Sequence, residues 1–247
     1  MKKLYEKSEL WFALLWIFLY CLAEFLANPL SNLIGIDSSA HAILNLLLST
    51  VLLIWVCKNG LTKKYGLCAP CAPAGNFLWY VPLLVLATCN FWNGFAVNLP
   101  ALDTLCYLCS MLCVGFLEEI IFRGFLFQAI RKSSLKQAVV ISSVTFGLGH
   151  FLHLVDGSGM QLVANIIQVV LAIAIGFLFV MIFYHGGSLL PCILTHSAID
   201  MASAFANLAD LTLQRHIFFS SIELLVVILY TVFLLIGGKK TSRHEMP

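Results

Sequence analysis

The stretch Leu162–Tyr184 reads LVANIIQVVLAIAIGFLFVMIFY and contains no Asp, Glu, Lys or Arg. A helix of this length covers the roughly 30 Å of hydrocarbon in a bilayer, because each residue adds about 1.5 Å. The whole 247-residue chain has the same character, since 61% of its residues are hydrophobic and only 11% are charged. This composition lies outside the range of soluble globular domains. The sequence therefore predicts an all-α, polytopic membrane protein.

Eight apolar stretches are long enough to be considered as membrane spans. They run approximately over Leu10–Leu26, His41–Cys57, Phe77–Trp92, Leu105–Ile130, Ala138–Leu154, Leu162–Tyr184, Leu189–Ala206 and Ile217–Ile236. The third contains Pro82 and the seventh contains Pro191, so we expect both to be kinked or partly re-entrant. No repeat or linker separates the spans. The sequence predicts a single integral-membrane domain over residues 1–247, with a motif-bearing core at about 104–206.

The basic residues predict how the spans are oriented, because Lys and Arg collect on cytoplasmic loops. They lie before the first span and after the second, fourth and eighth, at Lys2, Lys3, Lys7, Lys58, Lys63, Lys64, Arg131, Lys132, Lys136, Lys239, Lys240 and Arg243. Between spans on the opposite side only Arg215 appears. Both termini are thus predicted to be cytoplasmic. The net charge of +2 reflects these orienting residues, so we expect a lipid bilayer around the protein and no nucleic-acid partner.

Several ionisable side chains fall inside the predicted spans, where a charge costs at least about 2.5 kcal/mol and usually has a partner or a function. Glu118, His150 and Asp200 each lie about 20 Å from the cytoplasmic ends of their spans, and His196 lies about 14 Å from its end. Four such residues from three helices therefore reach a common depth. This coincidence predicts a polar site within the membrane.

Helical spacing suggests how these residues divide their tasks. Glu118 and Glu119 are about 100° apart on a helix, so we expect only one of them to face the site. Glu119 and Arg123 are at positions i and i+4 and are predicted to pair. His196 and Asp200 have the same spacing, so the aspartate is placed to orient the imidazole or to bind beside it. His153, three residues after His150 and on nearly the same face, is a candidate second histidine of the site, but it lies nearer the outer surface and a structural role is favoured.

The three motifs Glu118-Glu119-x-x-x-Arg123, Phe146-x-x-x-His150 and His196-x-x-x-Asp200, in this order on three helices, resemble those of the CPBP intramembrane proteases. That family includes the CAAX prenyl endopeptidases and the bacterial Abi proteins of bacteriocin processing and immunity. The resemblance implies an endopeptidase that hydrolyses a peptide bond in a membrane-associated peptide or protein, and a location in a bacterial cell membrane.

The resemblance also implies roles for individual residues. Glu118 would activate a water molecule with help from His150, while His196 and the residue four positions later would stabilise the oxyanion. Some relatives have Asn at that last position, and an ionised Asp200 cannot donate a hydrogen bond. We therefore expect Asp200 to orient His196 or to bind a metal. Glu119, Arg123 and Phe146 would provide structural support, with Phe146 in the wall of the site.

The sequence leaves the cofactor and the activity open. The favoured mechanism requires no cofactor, whereas a zinc ion held by Glu118, His150, His196 and Asp200 is the alternative, although the His-Glu-x-x-His pattern of many zinc proteases is absent. A proton-coupled transporter would also need buried carboxylates, but the inverted repeats that are common in transporters are not found. A non-catalytic immunity or scaffold protein of the membrane is a further alternative.

Overall fold

The computed structural model describes residues 1–70, 80–156, 159–209 and 211–237 of the chain. These residues form the predicted all-α fold, with one isolated antiparallel bridge between Phe95 and Ala206. The α-helices are α1 (Lys2–Lys7), α2 (Glu9–Ile34), α3 (Ser39–Lys58), α4 (Val81–Leu86), α5 (Ala101–Glu118), α6 (Gln128–Arg131), α7 (Leu135–Gly149), α8 (Leu162–Gly186), α9 (Leu190–Ser203) and α10 (Leu213–Gly237). They are joined by two 3-10 helices, Cys89–Phe91 and His150–Leu154, and by a π-helix, Glu119–Phe127.

Six helical segments within the described residues are long and apolar enough to cross a membrane. They are Glu9–Ile34, Ser39–Lys58, Ala101–Arg131, Leu135–Leu154, Leu162–Gly186 and Leu213–Gly237. These six correspond to the first, second, fourth, fifth, sixth and eighth predicted spans. The protein is therefore a multi-pass integral membrane protein, but eight complete crossings are not confirmed.

The third and seventh predicted spans are the short ones. The third was predicted to begin at Phe77, which lies outside the described residues, and only six residues of it form α4. The helix α9 has 14 residues, about 21 Å, which is less than the hydrocarbon thickness. Both helices carry a proline at their start, where the missing N–H costs no hydrogen bond, so Pro82 and Pro191 begin these helices and do not kink them.

Basic side chains bring three chain segments to one end of the bundle. The Nζ atoms of Lys64, after α3, and Lys132, after α6, lie 2.6 Å and 2.8 Å from Oε1 of Glu9 at the start of α2. The loops that follow the second and fourth predicted spans therefore lie at the same end as the N-terminus. This arrangement agrees with the predicted sidedness of these loops, whereas Lys239, Lys240 and Arg243 lie outside the described residues.

The helical rod Ala101–Arg131 positions the first motif. It consists of α5, the π-helix and α6, and every residue of the π-helix is buried. A π-helix uses i→i+5 hydrogen bonds and frequently occurs at functional sites. The helix α9 packs closely against α5, because Gly115 leaves room for the backbone of Ser197. This close packing places the glutamates of the rod beside His196 of α9.

Candidate active site

The first motif forms a buried ion pair within the π-helix. Nη1 of Arg123 donates a hydrogen bond of 3.0 Å to Oε1 of Glu119, and both side chains are completely buried. The pairing expected from the i, i+4 spacing is thus present. Because a buried charge is costly without a partner, the pairing allows both charged side chains to lie in the interior of the bundle.

Two aromatic rings lie close to the guanidinium group of Arg123. Its Cζ atom lies 3.9 Å from the ring centroid of Phe146 and 5.7 Å from that of Phe179. The Nε and Nη2 atoms of Arg123 have no hydrogen-bond partner among the described residues. Aromatic faces attract cations, so the rings stabilise the part of the guanidinium that Glu119 does not contact.

The imidazole of His196 is surrounded by three carboxylates. Its Nδ1 lies 2.8 Å from Oε1 of Glu119, while its Nε2 lies 3.5 Å from Oε2 of Glu118 and 3.4 Å from Oδ2 of Asp200. The expectation that only one of the two adjacent glutamates faces the site is therefore wrong. The two glutamates leave the rod in different directions, but the two nitrogens of one imidazole also point apart, so each carboxylate reaches a different nitrogen.

The charges of this cluster do not balance if all groups are ionised. Three carboxylates face one arginine and one histidine, so even a protonated His196 leaves one negative charge in excess. Glu119 is already bound to Arg123 and to Nδ1 of His196. The excess charge therefore belongs to Glu118 and Asp200, and one of these two carboxylates is suited to accept a proton during a reaction.

Glu118 has a second contact that the sequence did not predict. Its Oε1 accepts a hydrogen bond of 2.7 Å from the hydroxyl of Tyr20, which lies in α2 and is 98 residues away in the chain. A tyrosine in an apolar helix carries no distinguishing signal, and no motif includes Tyr20. Only the packing of α2 against the rod brings the two residues together.

The structure places His150 beside the carboxylate cluster but does not join it to Glu118. Its Nδ1 lies 3.3 Å from the carbonyl oxygen of Phe146, and its own carbonyl accepts a hydrogen bond of 2.8 Å from Asn165. No hydrogen bond or ion pair between His150 and Glu118 is found among the described residues. His153 instead has its Nδ1 2.8 Å from Oδ2 of Asp156, at the end of the 3-10 helix.

A cavity of about 360 Å³ opens beside the cluster, and its walls are mostly apolar. Phe146, His150, His196 and Asp200 line one part of it. The remaining wall comes mainly from α8, α9, α10, the chain around Cys89–Phe91 and the chain after α9, including Leu171, Ile175, Ile199, Leu211, Phe219 and Glu223. Glu118 is not in the wall but lies one side chain behind it, in contact with His196.

The proposed zinc ligands do not form a shell of four. Among the described residues no group of three or more His, Cys, Asp or Glu side chains is placed to hold a metal ion. Nδ1 of His196 is occupied by Glu119, and Nδ1 of His150 faces a backbone carbonyl. The arrangement therefore gives no basis for a reaction step through a metal, and the cofactor requirement stays a prediction.

Comparison with known proteins gives one match. The family model described as "Type II CAAX prenyl endopeptidase Rce1-like" matches residues 100–202, a stretch that contains all three motifs. Searches of the curated proteins and of the solved structures found no match. The resemblance to the CPBP and CAAX proteases is therefore confirmed for this stretch, whereas α2, α3 and α10 lie outside it.

Proposed function

We propose that this membrane protein is an intramembrane endopeptidase, because residues 100–202 match the Rce1-like endopeptidase family model. Its substrate is a membrane-associated peptide or protein, and its location is a bacterial cell membrane. The observation that carries the proposal is the position of His196, which joins Glu118, Glu119 and Asp200 at the edge of a cavity.

In the proposed reaction Glu118 accepts a proton from a water molecule, and the resulting hydroxide attacks the carbonyl carbon of the scissile peptide bond. An N–H group of His196 or His150 donates a hydrogen bond to the oxyanion that develops. Such a donor, aimed at the developing charge, contributes about 2.7–4 kcal/mol of transition-state stabilisation. The C–N bond then breaks, and the proton held by Glu118 moves to the leaving amine. Glu119 and Arg123 hold His196 in place and do not take part in bond breaking.

The cavity supports a substrate that is itself largely apolar. Its walls are mostly apolar, while His150, His196 and Asp200 of the second and third motifs line one part of it. Ligand sites commonly have this composition, in which apolar walls provide burial and a few polar groups fix the orientation. A peptide segment from the membrane would keep its apolar side chains in such a cavity and would present its backbone to His196.

The proposal is tested by comparing the membrane and secreted peptides of cells that carry the wild-type protein or Glu118→Gln. The glutamine keeps the size of the side chain and can still accept the hydrogen bond from Tyr20, but it cannot take a proton from water. We expect intact substrates to accumulate and their cleavage products to disappear, while the protein reaches its normal level. Glu24→Gln is the matched control, since Glu24 is another intramembrane glutamate, it contacts Asn45 and His41, and a glutamine there still accepts the hydrogen bond from Asn45.

Identical peptide profiles for wild type and Glu118→Gln would contradict proteolysis. If cells with Glu118→Gln also kept the phenotype of cells with the wild-type protein, a non-catalytic immunity or scaffold membrane protein would be the better interpretation. A profile that changes equally in Glu118→Gln and Glu24→Gln would show that the loss of any intramembrane carboxylate disturbs the protein, and it would contradict the role of Glu118 as the base.

A further inference from the structure

We propose that Tyr20 is a positioning residue that fixes which oxygen of Glu118 takes part in catalysis. The inference rests on the proposed function, and it extends the active site to α2, outside the family match at residues 100–202. The phenol donates to Oε1 of Glu118 at 2.7 Å, while Oε2 of the same carboxylate faces Nε2 of His196 at 3.5 Å. Each oxygen therefore has its own neighbour, and Oε2 is the one that faces His196 at the edge of the cavity.

The phenol is held in a defined position by the packing of α2. Phe12, Trp16 and Tyr20 follow one another at intervals of four residues along one face of α2, and all three are buried. One turn beyond Tyr20, Oε1 of Glu24 accepts a hydrogen bond of 2.9 Å from Asn45 in α3. Asn45 in turn donates to Ser110 in α5 at 3.1 Å. These bonds connect α2, through α3, to the same rod that carries Glu118.

A carboxylate needs such a contact because it can rotate about its last carbon–carbon bond, and this terminal torsion is broad. Without a donor on one side, either oxygen of Glu118 could face His196, and the carboxylate plane could turn away from the water it has to activate. Catalysis depends strongly on this geometry, since a displacement of about 1 Å can reduce a rate about 100-fold. The Tyr20 hydroxyl removes this freedom from one side.

A purely structural interpretation is that a buried tyrosine hydroxyl simply takes the nearest acceptor. The two interpretations differ in what is lost when the hydroxyl is removed. A structural bond contributes to the folded state, so its loss lowers the amount or the stability of folded protein. A positioning bond contributes to the transition state, so its loss lowers kcat while substrate binding and KM are kept.

The experiment uses the full-length protein in phosphatidylcholine vesicles and a library of quenched fluorogenic peptides as the probe. A peptide that is cleaved by the wild type but not by Glu118→Gln is selected first. Tyr20→Phe is then expected to lower kcat about 10- to 100-fold and to change KM by less than about twofold. In a Glu118→Asp background, in which the shortened carboxylate no longer reaches the phenol, Tyr20→Phe should cost less than about threefold.

The matched control is Tyr65→Phe. Tyr65 is also a buried tyrosine, and its hydroxyl donates to another hydroxyl, that of Tyr5, at 3.0 Å and away from the cluster. Tyr65→Phe should keep the wild-type kcat. A Tyr20→Phe protein with full kcat, or with the same loss of kcat in both backgrounds, would overturn the proposal. A loss of activity that is proportional to the loss of folded Tyr20→Phe protein would also overturn it. If no peptide distinguishes the wild type from Glu118→Gln, the proposed function itself fails, and the role of Tyr20 fails with it.

Discussion

Arg123 lies over the ring of Phe146, with its guanidinium carbon 3.9 Å from the ring centroid, and both side chains are buried within the bundle. The two residues belong to different motifs, one in the π-helix and one in α7. Their contact joins the glutamates of the rod to the helix that immediately precedes His150. The positive charge of Arg123 is thereby stabilised on one side by Glu119 and on the other side by an aromatic face.

Replacing Glu119 by glutamine should lower both protein level and activity. The change leaves the charge of Arg123 buried without its carboxylate partner, which typically costs about 3–5 kcal/mol, and it removes the charged acceptor at Nδ1 of His196. The measurements are the amount of folded protein in membranes and its melting temperature in detergent. Glu6→Gln, which affects only the exposed pair with Lys2, should change neither quantity. A Glu119→Gln protein that folds normally but is inactive would show a direct catalytic role for Glu119.

Replacing Asp200 by asparagine should preserve activity, or increase it. The asparagine can still orient His196, and its amide can also donate a hydrogen bond to the oxyanion, as the aspartate cannot. The measurement is the cleavage rate with and without a chelator and with added zinc. A zinc-dependent enzyme gives the opposite result, because a neutral amide is a much weaker ligand than a carboxylate. An inactive Asp200→Asn protein that excess zinc reactivates would establish the metal-dependent alternative.

Replacing Gly115 by alanine should move α5 and α9 apart. A Cβ atom at this position would overlap the side chain and the backbone of Ser197, and overpacking of this kind costs about 1–3 kcal/mol. Because Glu118 and His196 lie on these two helices, their contact should lengthen and the cleavage rate should fall. Gly237→Ala is the control, since a Cβ atom there would meet no atom within 4 Å. Equal rates for Gly115→Ala and the wild type would contradict this coupling of helix packing to activity.

Membrane sidedness is open to a direct labelling test. Single cysteines introduced at Ser133 and at Asp37, in a background without other cysteines, should react with a membrane-impermeant reagent from opposite faces of the membrane. Ser133 follows α6 at the end that carries Lys132, and Asp37 lies between α2 and α3. Both positions are exposed, so access does not limit the reaction. Labelling of both cysteines from the same side would contradict the orientation predicted from the basic residues.

The sequence predicted those features that depend on short stretches of chain. Apolar length predicted the six long helices, and the i, i+4 spacing predicted the pair between Glu119 and Arg123. One prediction was not confirmed and another was wrong, both for physical reasons. The apolar stretch around Pro191 has the composition of a span, but its helix, Leu190–Ser203, has only 14 residues and is shorter than the hydrocarbon thickness. The angle between Glu118 and Glu119 was estimated from the backbone alone, whereas both side chains are long enough to reach one imidazole.

The contact between Tyr20 and Glu118 could not be predicted in this way. Periodicity shows which face of a helix is buried, but it does not show which two helices meet or at what level. The apolar faces of α2 offer no charge pattern that would select the rod as their partner. Tyr20, the part of the site that no motif contains, is therefore placed by packing between segments that are far apart in the chain.

The hydrogen bond between Tyr20 and Glu118 limits how this site can be transplanted. A fragment that keeps only residues 100–202 would retain the three motifs but would lose the phenol on α2 and the α10 side of the cavity. Fusing that fragment to a foreign membrane scaffold would transfer the acidic and histidine residues without the groups that orient and enclose them. The smallest part of the chain that would transfer the complete site is thus larger than the segment that matches the family model. It extends beyond that segment on both sides, from α2 to α10.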